Sequence, residues 1–120
     1  MAGIGAGSER EALLARLGAL LDQARVQRRT MTYLEVADAL AIDPPHRIHK
    51  TTRLVEVLLK RDHQANRPIR AALVVSRVRD GRPAQGFFDR AERLGLHDGT
   101  DPGAFHDRLL ADLFGSPGHS

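Results

Sequence analysis

Leu13, Leu17, Leu20, Leu21 and Ala24 recur every three or four residues, the spacing that collects side chains on one face of an α-helix. Ser8 with Glu11 ahead of them has the form of a capping box, in which a hydroxyl and a carboxylate each take up an orphan backbone N–H. A first helix is therefore expected from about Glu9 to about Arg28. Thr32 with Glu35 is a second capping box, followed by Tyr33, Val36, Ala37 and Leu40 on one face of a short helix. Asp43-Pro44-Pro45 ends that helix sterically and is expected to start another, with Asp43 as N-cap and a proline in the first turn. Ile48, Thr52, Val55 and Leu59 then form an apolar stripe, leaving Arg47, Lys50 and Arg53 directed elsewhere.

Pro68 interrupts the helical period, and the β-branched run Ala72 to Val78 reads as a buried strand. Asp80-Gly81 is a strong hairpin signal. The return arm, Pro83 to Phe88, is expected to be an edge strand because proline cannot donate to a ladder, with Phe87 and Phe88 pinning its far end. In this reading Leu73, Val74, Val75, Val78 and Phe87 are all protected. Asp101-Pro102 has the cap and first turn of a last helix, with Phe105, Leu109 and Phe114 among its apolar residues and Gly115 at its end. The expected fold is α+β and winged-helix-like: helices with a two-stranded β-hairpin. A single domain spans 8–115, between flexible ends at 1–7 and 116–120.

With 120 residues the chain is long enough for one modest core. The sequence holds no cysteine, which removes disulfides, cysteine-ligated zinc and thiol nucleophiles from consideration. No apolar run approaches the ~18 residues of a membrane span, and the first residues lack the basic and apolar regions of a signal peptide. The expectation is a cytoplasmic protein that is not membrane-inserted. The net charge is only +3, but its distribution is uneven. Between Arg47 and Arg82 stand ten basic and three acidic residues, a net +7, so the remainder carries −4. Such a bias suits a face that meets phosphate, and equally a solvated basic surface.

A short helix, a tight turn, a basic helix and a basic hairpin follow the order of a winged helix, in which the second helix enters a major groove. The candidate nucleic-acid contacts are Arg47, Lys50 and Arg53 on that helix and Arg77, Arg79 and Arg82 on the hairpin. Guanidinium groups suit phosphates and guanine edges alike. The Gly3-x-Gly5-x-Gly7 spacing has no preceding strand and does not match a dinucleotide loop. His46 and His49, three residues apart, lack an evident third metal ligand, and His97, Asp98, Asp101, His106 and Asp107 read as polar loop and helix-surface residues. No nucleophile elbow, P-loop or paired-carboxylate arrangement is present, so neither catalytic residues nor a cofactor or metal are expected. The alternative function is a protein-interaction adaptor, using the leucine face of the first helix or the Phe105/Leu109/Phe114 stripe to dock a partner or a second copy.

The stretch Thr32-Tyr33-x-x-Val36-Ala37, then Arg47, then Val75-Ser76-Arg77-Val78, Asp80-Gly81 and Gly86-Phe87 resembles the DNA-binding domain of alkylguanine-DNA alkyltransferases and alkyltransferase-like proteins, over about half the chain. The resemblance implies a winged-helix fold that binds duplex DNA. It implies that Tyr33 lies near the phosphate of a flipped nucleotide and that Arg47 fills the vacated base position. Val75 stands where that family has its alkyl-accepting cysteine and Ser76 where it has a histidine, and the segment from Arg47 to Val75 is longer than the family's. Without thiolate or imidazole there is no activated nucleophile, so alkyl transfer is excluded. Leu73-Val74-Val75 with Gly81-x-Pro83-x-x-Gly86-Phe87-Phe88 also resembles a group of uncharacterised bacterial proteins, which implies no activity. On these grounds Arg47, at a helix start, is expected to matter more for nucleic-acid affinity than Arg10 or Arg16 on the first helix.

Overall fold

The computed structural model describes residues 6–115, and side chains from Glu9 onward. Helix α1 (Ala6–Val26) presents Leu14, Leu17, Leu21 and Ala24 to the core. It starts upstream of Ser8, so that residue lies inside the helix and is not its N-cap. Gly3 and Gly5, like the ends at 1–5 and 116–120, lie outside the described residues. Strand β1 (Met31–Thr32) leads directly into α2 (Tyr33–Ala39). The expected capping box is present there: the Glu35 N–H donates to Thr32 Oγ1 at 3.1 Å, and the Thr32 N–H to Glu35 Oε1 at 2.8 Å.

Helix α3 (Arg47–Gln64) begins later than Asp43-Pro44-Pro45 suggested, with His46 as its N-cap in the left-handed region at φ 61°. Its buried face is rotated from the expected stripe. Thr51, Leu54, Val55, Leu58, Leu59 and Asp62 point inward, whereas Ile48 is 47% exposed. Apolarity alone missed this face because two of its members are polar and satisfied internally. Thr51 Oγ1 donates back to the Arg47 carbonyl at 2.9 Å. Asp62 accepts from the Arg70 backbone N–H at 3.1 Å, from Arg70 Nε at 3.0 Å and from Nη2 at 2.9 Å.

After α3 the chain departs furthest from expectation. Arg70–Leu73 forms a 3-10 turn, and the predicted long strand contracts to β2 (Val74–Val75). Its partner is β1, in parallel, with Met31 opposite Val74 and Thr32 opposite Val75. Ser76 then bridges back to Arg82 around a second 3-10 turn, Arg77–Arg79, closed by Asp80 at φ 55° and Gly81 at φ 74°. Asp80-Gly81 therefore does reverse the chain, but among the described residues the expected two-stranded hairpin is reduced to that single bridge. The return arm is helical: α4 (Gln85–Arg93) buries Phe87, Phe88 and Ala91. Phe87, Phe88 and Ala91 recur at helical spacing, so the residues meant to pin a strand close a helix onto the core. Val78, expected to be protected, is 93% exposed because the strand ends three residues before it.

Helix α5 (Pro102–Phe114) starts as expected, with Asp101 Oδ1 accepting from the Ala104 N–H at 3.1 Å and Gly115 ending it at φ 77°. Its Phe105, Leu109 and Leu113 join one cluster with Leu17, Leu21, Val36, Leu59, Val74, Phe87 and Phe88. On the faces of α1 and α5 that could dock a partner or second copy, Leu17, Leu21, Phe105 and Leu109 are buried by the chain itself, while Leu13, Leu20 and Phe114 are only partly buried. Arg25 and Arg28 fasten the two helices, Nε of Arg25 donating to the Leu113 carbonyl at 2.6 Å and Nη1 of Arg28 to that of Phe114 at 2.5 Å. Among the described residues the architecture is α+β, five α-helices with a two-stranded parallel sheet. Among the described residues no helix is long and apolar enough to cross a membrane.

Asp62 is fully buried, and the partly buried Arg70 also reaches Asp22 on α1 at 3.3 Å. Gly18 makes room for that guanidinium, since a Cβ there would stand 2.9 Å from Arg70 Nη1. Removing the Arg70 side chain strands the fully buried Asp62 carboxylate, so Arg70→Ala is expected to lower stability by ~3–5 kcal/mol. Glu11→Ala, which opens only the exposed bridge to Arg61, should leave the midpoint nearly unchanged. Urea denaturation of both variants checks the contrast; equal midpoint shifts would show that Asp62 is not the tie it appears in this geometry.

Candidate nucleic-acid interface

Most of the surplus charge between Arg47 and Arg82 is matched by acids from elsewhere in the chain. Arg47 pairs with Asp38 at 2.8 Å, Arg61 with Glu11 at 2.6 Å, and Arg82 with Asp107 at 2.6 Å. Arg70 takes Asp22 as well as Asp62, which Arg67 also approaches at 3.7 Å. The segment's remaining basic residues, Lys50, Arg53, Lys60, Arg77 and Arg79, have no carboxylate within salt-bridge distance among the described residues.

The expected contacts divide accordingly. Arg47 braces the turn before α3: its Nε donates to the Ile42 carbonyl at 2.7 Å while Nη2 holds Asp38 on α2. Lys50 helps, donating from Nζ to the Asp43 carbonyl at 2.9 Å, and keeps its charge uncompensated. Arg53 is exposed and has no side-chain hydrogen-bond partner among the described residues. Tyr33 is buried, and its hydroxyl accepts from the Ala84 N–H at 3.1 Å. Burial pushes its pKa up, keeping the phenol neutral. Tyr33 thus anchors the start of α4 to α2, and its hydroxyl is occupied.

On the turn after β2, Arg77 is exposed and Arg79 is half-engaged, donating from Nε to the Pro83 carbonyl at 3.0 Å and from Nη2 to Gln85 Oε1 at 3.2 Å. Arg82 faces inward. Its Nη1 lies 3.0 Å from the Gly103 carbonyl, 2.6 Å from Asp107 Oδ1 and 3.1 Å from His106 Nδ1. His106 is buried, with Nε2 2.9 Å from the Ala72 carbonyl. A carbonyl only accepts, so Nε2 carries the proton and Nδ1 accepts from Arg82. The other members of the C-terminal His/Asp group are also structural: His97 stacks on Phe105 at 4.3 Å, Asp98 holds Thr100, and Asp101 caps α5. Among the described residues no three His, Asp or Glu side chains are grouped to hold a metal ion.

A groove of about 1150 Å³ runs along the outer face of α3, from His49, Lys50 and Arg53 past Glu56, Val57 and Lys60 to Gln64. One wall is the first half of α1, with Arg10, Leu13 and Arg16, and Arg90 of α4 lines it as well. Its acids are Glu9, Asp43 and Glu56, and Glu56 is held by Arg90 at 3.5 Å. Arg10 and Arg16 therefore share a surface with Lys50 and Arg53, which their positions in sequence concealed. Arg79 is joined through Gln85 to the start of α4, where Gly86 lies against the Glu56 carboxylate, but neither Arg77 nor Arg79 lines the groove. Neither Tyr33 nor Val75 lines the groove. Comparison with models of protein families, with curated proteins and with solved structures finds no match.

Two outcomes follow from these contacts. Arg47→Ala should lower stability by ~1–2 kcal/mol, since a partly exposed charged hydrogen-bonding group is lost from the α2–α3 turn; denaturant unfolding checks this, and an unchanged midpoint would remove the bracing role. Burial holds the His106 pKa below the usual histidine value; the Ala72 hydrogen bond opposes this, Arg82 reinforces it, and Asp107 opposes it again. The unfolded chain then binds the proton more readily than the native one, so the stability owed to neutral His106 is complete above pH ~6.5 and declines as pH falls below it. Melting temperatures from pH 8 to 5 should drop at the acidic end and drop less in His106→Gln.

Proposed function

We propose that the chain is a non-catalytic, winged-helix-like module that binds duplex DNA through the outer face of α3, with the Arg77–Arg79 turn in the place of a wing. One observation carries the reading: Lys50, Arg53 and Lys60 on α3 converge with Arg10 and Arg16 on α1 in a single groove, and none of the five is paired with a carboxylate among the described residues. Clustered cations of this kind attract a polyanion, and release of its counterions drives binding. The groove lining contains no Phe, Tyr or Trp, so the stacking platforms that hold single strands are missing from it. That favours contact with the phosphates of a duplex.

The order α2, tight turn, α3 supports the winged-helix comparison, as do the residues resembling the alkyltransferase-type DNA-binding domain. Two carried-over roles change. Arg47 and Tyr33 are engaged within the fold, so phosphate contact passes to Arg53, Lys60, Lys50 and the α1 arginines.

Fluorescence anisotropy with a labelled duplex at several salt concentrations tests the reading. Five phosphate contacts correspond to a log–log salt slope of about −4.5. Arg53→Ala and Lys60→Ala should each reduce the slope by about one contact and weaken all sequences alike. Undetectable binding at low salt, or affinity insensitive to salt, would overturn the proposal.

A further inference from the structure

Among the described residues Val78 is the most exposed of the large apolar side chains, at 93%, and it stands at the tip of a turn that is braced rather than loose. The Ser76 N–H donates to the Arg82 carbonyl at 2.8 Å, and the Ser76 carbonyl accepts from the N–H groups of Arg79 at 3.2 Å and Gly81 at 3.1 Å. Arg79 is tied by its side chain to Pro83 and Gln85, and Arg82 to Gly103 and Asp107 on the α5 side. The backbone around Val78 is thus held from both ends. A β-branched side chain has few rotamers to lose on contact. On either side stand Arg77 and Arg79, whose charges are unmatched, with Asp80 as the acid of the turn.

A single exposed valine calls for no explanation by itself. An apolar tip presented on a fixed turn between two arginines has the composition of a minor-groove reader, in which arginines follow the narrow, negative groove and an apolar side chain presses between base steps. From the geometry of this turn and the DNA-binding reading above, on which it rests, we infer that the turn enters a minor groove with Val78 as a short wedge and Arg77 beside it, while Arg79 holds the turn in shape through Pro83 and Gln85. Pyrimidine–purine steps unstack most easily, so the wedge gives the protein a preference for a TpA step within an A·T-rich segment over a G·C-rich duplex. Val78 is then a specificity-determining residue, while the groove cations supply affinity without sequence preference.

The test uses the full chain and two short duplexes, one A·T-rich with a central TpA step and one G·C-rich, each carrying a donor and an acceptor dye at its ends. The unmodified protein should shorten the end-to-end distance of the TpA duplex, with a kink near the lower end of the ~20–90° range of wedge-inserting proteins. Val78→Ala should lose the kink and about five- to tenfold of the affinity for the TpA duplex, with the salt slope unchanged. Absence of binding to either duplex overturns both readings. Binding with no kink, or a kink that survives Val78→Ala, overturns the wedge and leaves the groove reading intact. Sedimentation with phosphatidylserine-containing vesicles is run in parallel. Vesicle binding that depends on Val78, without duplex bending, would assign the tip to a lipid surface and overturn the wedge.

Discussion

The Asp62–Arg70 pair is the constraint on which the order of the remaining elements rests. A carboxylate removed from water must have its lone pairs met, and Arg70 meets them with its backbone N–H, Nε and Nη2. The same guanidinium reaches Asp22 across Gly18, so α1, α3 and the start of the 3-10 turn are joined at one point. With Arg70 fixed, Ala71, Ala72 and Leu73 enter the core and Val74 and Val75 arrive beside Met31 and Thr32. Thr32 is also the cap of α2, so the parallel pair sets where α2 begins and, through the Arg47–Asp38 contact, how α3 follows.

Charge distribution illustrates how folding reassigns what a sequence displays. The net +7 between Arg47 and Arg82 looked like one basic face, but much of it is returned to Glu11, Asp22, Asp38 and Asp107, acids of the negative remainder. The cations left over lie partly outside that segment, on α1. The candidate interface is therefore a product of two helices, α1 and α3, with a turn, a strand and α2 between them, and neither displays it alone. Arg82 makes the same point at one residue. Counted as a hairpin decoration, it holds α5 through Gly103 and Asp107 and supplies the partner of neutral His106.

The departure from a β-hairpin has a definite cause. Asp80-Gly81 reverses the chain as its composition implies, yet the strand before it stops at Val75. The backbone of that strand is engaged by β1, a partner from ahead of α2 and α3, and the residues after the turn have helical spacing in Phe87, Phe88 and Ala91. A β-branched run records a preference for extended backbone but says nothing of which strand will pair with it. Exposing Val78 and burying Phe87 and Phe88 from a helix is the outcome.

What the sequence by itself determined is local. The Thr32–Glu35 box, the Asp101 cap with Pro102, the Gly115 stop and the reversal at Asp80-Gly81 each depend on residues within a few positions of one another, where short-range hydrogen bonds and sterics act alone. The tertiary structure decided everything that joins distant residues: the parallel pairing of β1 with β2, the burial of Thr51 and Asp62 in place of Ile48, the occupation of Arg47, Tyr33 and Arg82, and the meeting of Arg10 and Arg16 with Arg53 and Lys60. Hydrophobic spacing can orient a helix only through its apolar residues. A polar side chain is buried when a donor or acceptor from elsewhere meets it there, and that partner is chosen by packing rather than by neighbourhood in the chain.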